Sequence, residues 1–238
     1  MARIVVMVAL SLLLGASPPP LMHFTCTPAA GPIEIDGKAD DAAWKAVTPI
    51  TEFRLWRSFQ KPTEATSVRL CYDDDFLYAL FECADPDIFV LHSQRDDRLW
   101  ESDVVELFFQ PDEKNPIYYE FEIAPNNAVF DARMVNTGSG GFLRWAAWDC
   151  GIRTATDVRG TPNHWQDRDQ GYTIEIAIPL GAFHEVIGDQ PLKGQTWKFA
   201  AVRADLSVTL KAEERSATAN VADYDIHNKS GYSKLTFK

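Results

Sequence analysis

The stretch Asp97–Asp112, DRLWESDVVELFFQPD, decides how the chain is read. From Asp103 to Gln110 its residues alternate by face: Val105, Leu107 and Phe109 point one way, Val104, Glu106 and Phe108 the other. Period-2 alternation built from β-branched and aromatic residues is a strand signature. The first set suits a core. The second places a carboxylate among apolar neighbours on the opposite face.

The same period recurs on both sides of this stretch. Ser67–Tyr72 and Phe76–Ala84 form a hairpin whose turn is Asp73-Asp74-Asp75, residues that favour turns over a metal site. Tyr118–Ala124 and Val129–Val135 are strands around the turn Pro125-Asn126-Asn127. In Tyr172–Ile178 the residues Tyr172, Ile174, Ile176 and Ile178 point inward and Thr173, Glu175 and Ala177 outward, and Pro179 stops the strand. Shorter candidates are Pro32–Gly37, Phe53–Phe59, Gly151–Val158, Trp197–Asp205 and Tyr232–Phe237. Helical turns fit only Ala39–Ala46 and Leu180–Val186. No repeat of 20–50 residues and no long helical period is present. Together these predict an all-β sandwich of two antiparallel sheets with a few short helical turns. Val105, Leu107, Phe109, Tyr119, Phe121, Ile174, Ile176 and Ile178 should face its core. Trp44 and Trp197 also read as core residues. Arg203 and Asp205 share a face and read as a structural ion pair.

The 238 residues, 46% of them hydrophobic, suffice for one well-packed domain. Residues 1–17 read as a secretory signal: Arg3, the apolar run Ile4–Leu14, then Gly15, Ala16 and Ser17. Such a run is too short to span a bilayer. A secreted or periplasmic protein with no membrane span is expected, with 18–30 a loose lead-in and 31–238 the domain. The net charge of −11 and the lack of a basic stripe argue against nucleic acid as a partner. Cys26, Cys71, Cys83 and Cys150 show no zinc-like spacing. Cys71 lies near the hairpin turn and Cys83 far from it, so the two should not bridge directly. The oligomeric state and any metal ligands stay open at this level.

Trp100 stands six residues before Glu106. A flat apolar ring covers a pyranose face, and a fixed carboxylate accepts hydroxyl protons. Six extended residues cover about 20 Å, so Glu101-Ser102 must bend the chain back for the two to cooperate. In a three-strand meander with matched core faces, Leu107 lies beside Tyr119, Val105 beside Phe121, and Glu106 faces Glu120. A two-residue turn at Asn126-Asn127 then sets Glu120 opposite Arg133 and Glu122 opposite Asp131. The expected row is Glu106–Glu120–Arg133, about 4.8 Å per step. The same row also reads as a solvated charge ladder. Trp145, Trp148 and Trp165 fall in or near loops, where they could extend a binding surface or pack at the rim.

Several segments, in order, resemble the family 9 carbohydrate-binding modules. They are IDGKADDAAW (Ile35–Trp44), VRLCYDDDFLYALFECAD (Val68–Asp85), RLWESDVVELFFQP (Arg98–Pro111), YYEFEIAPNN (Tyr118–Asn127), RGTPN (Arg159–Asn163) and GYTIEIAIPL (Gly171–Leu180). The resemblance implies a β-sandwich, related to DOMON-type domains, that binds oligo- or polysaccharides, often at chain ends. It implies no required cofactor, an optional structural calcium, and a role beside secreted glycan-degrading enzymes rather than catalysis. The family pairs a ring-stacking tryptophan with a glutamate six residues on, which Trp100 and Glu106 match. An arginine on a following strand is matched by Arg133. The family's second aromatic is replaced by Thr218, which leaves Tyr224 as the nearest ring.

Two other classes compete. A haem-binding sandwich would use Met134 and one of His92, His164, His184 or His227, yet none forms a recognisable pair and CxxCH is absent. A glycoside hydrolase needs two carboxyls about 5–9 Å apart across a cleft. Glu106 and Glu120 could meet that spacing, but a flat sheet without a lid argues against catalysis.

Overall fold

The computed structural model describes residues 18–135, 145 and 147–238; the expected signal at 1–17 lies outside them. In chain order the strands are β1 (His23–Pro28), β2 (Arg54–Leu55), β3 (Thr66–Tyr72), β4 (Phe76–Cys83), β5 (Val104–Gln110), β6 (Tyr118–Ile123), β7 (Val129–Met134), β8 (Arg153–Arg159), β9 (Gly171–Pro179), β10 (Thr196–Asp205), β11 (Glu214–Ala217) and β12 (Ser233–Phe237). One sheet runs β7-β6-β5-β10-β12-β1, with β11 sharing an edge of β10 and β2 beside β11. The other runs β1-β3-β4-β9-β8.

Apolar faces of the two sheets meet in the main core. Val105, Leu107, Phe109, Tyr119, Phe121, Ile174, Ile176 and Ile178 all lie in it, as alternation requires. Trp197 joins them, with its ring 4.7 Å from that of Phe237. The β3–β4 turn is held by Asp73, whose Oδ1 accepts from the backbone N–H groups of Asp75 and Phe76, each at 2.8 Å. That register sets Cys71 opposite Tyr78 and Cys83 opposite Thr66, and all four cysteines are free thiols.

Residues 18–30 are not merely a loose lead-in, because 23–28 form β1. His23–Cys26 pair with β12 and Thr27–Pro28 with β3, so this strand belongs to both sheets. Both pairings are parallel, a departure from the expected purely antiparallel sheets. Its apolar content is too small to announce it: Phe24 and Cys26 supply the core contacts, and hydrogen bonds supply the rest.

Pro32–Gly37, expected as a short strand into a turn, forms no strand, and its end lies as an irregular loop against the outer face of β9. Glu175 is fully buried there and accepts from Trp44 Nε1 (2.7 Å), Asp36 N (2.9 Å) and Gly37 N (2.8 Å). Gly37 has φ +87°, and a Cβ there would sit 2.6 Å from the carbonyl carbon of Thr156. Only glycine suits both demands. Trp44, on the single-turn helix Ala42–Lys45, caps this outer face.

Arg203 is buried between the sheets, 3.0 Å from Asp85 and 2.9 Å from Asp205, and donates to Thr66 Oγ1 at 3.1 Å. The expected Arg203–Asp205 pair is therefore part of a larger network.

Candidate functional site

The outer face of β5, β6 and β7 is neither flat nor solvated. Val104, Phe108, Tyr118, Phe130 and Ala132 form a second apolar cluster with residues of β10 and β11. Later segments cover most of it and leave a cleft of about 690 Å³. Glu106, Glu120, Glu122, Phe130 and Met134 line it from the strands, and Trp56, Trp100, Trp145, Arg215, Tyr224 and Asp225–His227 from the surrounding segments.

Trp100 reaches the cleft through the bend that its distance from Glu106 requires. Leu99–Glu101 form one 3₁₀ turn, and Ser102 returns the backbone to the extended state. The Trp100 ring meets the Phe130 ring edge-on at 6.1 Å. Its carbonyl accepts from Arg215 Nη2 at 2.9 Å, which ties the turn to β11.

Phe53–Phe59, expected as a strand, keeps only the two residues of β2. Beyond them Arg57 and Phe59 adopt left-handed φ of 60° and 57°. The resulting turn brings Trp56 to the cleft, with Trp56 N–H donating to Arg215 O at 2.9 Å. Tyr224 lies 6.3 Å from the Trp56 ring, and the Arg57 guanidinium sits 5.0 Å over the Tyr224 ring. Tyr224 is 62% exposed, so its ring is within reach of a ligand.

The expected register is wrong in two ways. Glu106 stands opposite Glu122 rather than Glu120, and Leu107 opposite Phe121. This shift by two residues preserves the faces, so Glu106, Glu120 and Glu122 all point into the cleft. Arg133 is opposite Tyr119, not Glu120, and pairs with Glu185. The reason is turn length. Ala124 and Ala128 pair around the three residues Pro125-Asn126-Asn127, with Asn127 at φ 64°, where a two-residue turn was expected. A one-residue change moves every side chain on β7 to the other face. Arg133 therefore lies outside the cleft.

Thr218, where the resemblance implied a second ring, is also outside it. Its hydroxyl is fully buried and accepts from Ala201 N at 2.9 Å, at the seam where β11 gives way to β12. Trp145 lines the cleft, Trp148 packs on Tyr119 and Phe121, and Trp165 is exposed. Trp56, Glu122, Arg215 and Asp225 escaped the sequence-based site. For Trp56 a signal existed, since in a strand over Phe53–Phe59 Arg54 and Trp56 face away from Phe53, a core residue.

Electrostatics single out the cleft floor. Glu106, Glu120 and Glu122 are 3%, 4% and 2% exposed, and one carboxylate oxygen from each lies within 4.8 Å of the other two. Burial raises Glu106 to about 7, with Arg215 opposing the rise. Burial and then the Glu106 charge raise Glu120 to about 8. Glu122 is pushed well above the usual range by burial and both neighbours. Glu120 Oε2, Glu122 Oε2 and Trp56 Nε1 are buried without a hydrogen-bond partner among the described residues. Buried polar atoms in folded proteins are nearly always paired, which makes these atoms candidates for hydrogen bonds to a ligand.

A second buried trio, Asp85, Asp103 and Asp205, does not fit calcium. The Arg203 guanidinium already binds two of the three, and Asp103 accepts from Phe89 N (2.7 Å) and Leu206 N (2.8 Å). With those lone pairs and that charge already engaged, a divalent ion would face a resident cation.

Comparison with known proteins agrees with this architecture. A protein from Bacteroides uniformis described as a candidate carbohydrate-binding protein superposes with a TM-score of 0.71 at 15% identity, over 92% of this chain and all of that one. A family 9 carbohydrate-binding module from Caldicellulosiruptor kristjanssonii, solved with cellotriose, gives 0.61 at 18% identity over 91% and 93% of the two chains. The module from that organism solved with glucose gives 0.60 at 19%, over 90% and 95%. In sequence the chain is 28% identical over 191 residues to an Arthroderma benhamiae protein named an extracellular protein, covering 75% of this chain and 81% of that one. Residues 35–236 match the model of the carbohydrate family 9 binding domain-like family, and the chain belongs to that family.

Proposed function

We propose that this is an exported, non-catalytic protein that binds oligo- or polysaccharides in the cleft on the outer face of β5–β7. The observation that carries the reading is one cleft lined by Trp56, Trp100 and Tyr224 with Glu106 on its floor. Rings of this kind cover the apolar faces of a pyranose, and the carboxyl groups accept or donate to its hydroxyls. Family membership supports the ligand class, as do the cellotriose and glucose bound by the Caldicellulosiruptor modules. The extracellular name of the Arthroderma relative supports export. Against hydrolysis stands the arrangement of the acids. They cluster, and burial and one another's charge disfavour their ionised forms, whereas a glycosidase flanks the scissile bond with two separate carboxyls. A setting beside polysaccharide breakdown is what the family resemblance implies. Calorimetric titration with cellotriose and other β-linked oligosaccharides tests the reading; absence of binding to any of them overturns it.

A second reading has one observation in its favour. Met134 and His227, two of the residues weighed as haem ligands, line the same cleft. Burial lowers the affinity of His227 for a proton, as axial ligation would require. The three acids on the floor favour the saccharide. A visible absorption band from purified protein would reverse that order.

A further inference from the structure

We infer that the saccharide taken by this cleft is an amino sugar, with its ammonium group seated among Glu106, Glu120 and Glu122; this rests on the saccharide reading above. An ammonium carries three N–H donors and no acceptor. The floor offers three carboxyl groups within 4.8 Å of one another, two of them with an oxygen that has no partner among the described residues. A hydroxyl carries a single proton to donate and no charge. It offers nothing to offset the negative charge of these acids once ionised, which makes the amine the better complement.

The cations already near do not fill this role. Arg215 bonds to the Trp100 carbonyl and pairs with Glu213. Lys229 lies 4.1 Å over the Tyr118 ring. The other titratable neighbours are Asp225, His227 and the buried Tyr232 hydroxyl, which is unpaired among the described residues. The aromatic lining distinguishes between two kinds of cation. Trp and Tyr faces attract an organic ammonium and cover a sugar ring. Calcium takes about six to eight oxygen ligands, which Trp, Phe and Met side chains do not supply.

Three β-1,4-linked trisaccharides test this by titration calorimetry near pH 6.5: glucosamine trimer, its N-acetylated form and cellotriose. They differ at C2 by an amine, an acetamide or a hydroxyl. The expected result is at least about tenfold tighter binding of the amine form, on the scale of one charge-assisted interaction. Its binding should release protons, because the acids ionise as the ammonium enters, and the heat should vary with the buffer's ionisation enthalpy. In Glu122→Gln the ratio of amine to hydroxyl affinity should fall towards one. If cellotriose binds as tightly as the amine form, the amine inference falls while the saccharide reading stands. If none of the three binds, both fall. Calcium binding in the absence of sugar that Glu122→Gln abolishes would make the trio a metal site and overturn the inference. The three-ligand comparison on the unmodified protein decides the matter even if the variant does not fold.

Discussion

Glu106 stands directly opposite Glu122 on adjacent antiparallel strands, both nearly inaccessible to water. Burial above all, and then the neighbouring carboxylates around Glu120 and Glu122, disfavours the ionised forms, so the fold retains protons that the unfolded chain would release. The ordinary value is 4.5; in the folded protein Glu106 is raised to about 7, Glu120 to about 8, and Glu122 well above the ordinary range. Raised acids contribute stability that is fully present below 4.5 and is lost as pH rises through the folded values. The melting temperature should therefore fall between about pH 5 and pH 8.5, by several degrees on the usual scale for a domain of this size. Glu122→Gln, which removes one of the groups, should flatten that slope. A melting temperature that rises across this window would contradict the buried trio.

Trp100→Ala should weaken saccharide binding by about 2 kcal/mol or more, the scale of a stacked aromatic anchor. Trp56→Ala and Tyr224→Ala should weaken it as well. Circular dichroism must show that each variant stays folded, because Trp100 also packs on Phe130.

Arg133→Ala should leave saccharide affinity unchanged, because Arg133 pairs with Glu185 outside the cleft. Titration of the folded variant checks this. A large loss of affinity would mean that β7 pairs in the other register.

Trp44→Phe removes the indole donor to Glu175 while keeping most of the ring. One partner of a buried carboxylate is then missing, which should cost about 1–3 kcal/mol in urea unfolding. Binding in the cleft should persist, since Trp44 packs on the outer face of the other sheet.

Arg203→Met leaves Asp85 and Asp205 buried without their shared cation. Breaking such a network from one side costs about 3–5 kcal/mol, and denaturant melts should show it. A melt indistinguishable from that of the parent protein would mean that the acids neutralise one another by protonation.

Alternation along β5, β6 and β9 was legible from residues alone, because period 2 is a local property of the strand and a buried face demands apolar residues. It sorted Val105, Leu107 and Phe109 from Glu106 and Phe108, and it assigned Glu120 and Glu122 to the outer face with Glu106. The spacing of Trp100 from Glu106 also set a testable demand for a bend, which the turn Leu99–Glu101 meets. By contrast β1 and β11 went unseen, because both are short with few apolar residues to alternate, and β1 pairs with β12 and β11 with β2 across long stretches of sequence.

What the sequence by itself determined is the fold class, the inner and outer faces of the long strands, and the pairing of a ring with an acid in one stretch. Tertiary structure alone decided which side chains share the cleft. A three-residue turn in place of a two-residue one carried Arg133 to the opposite face. Backbone bonds from Trp56 and Arg57 to Arg215 and Val221 carried Trp56 into the cleft. Local pattern encodes the direction of a side chain relative to its own strand. Register depends on loop length, and neighbours depend on contacts between segments more than a hundred residues apart, so neither can be read from alternation.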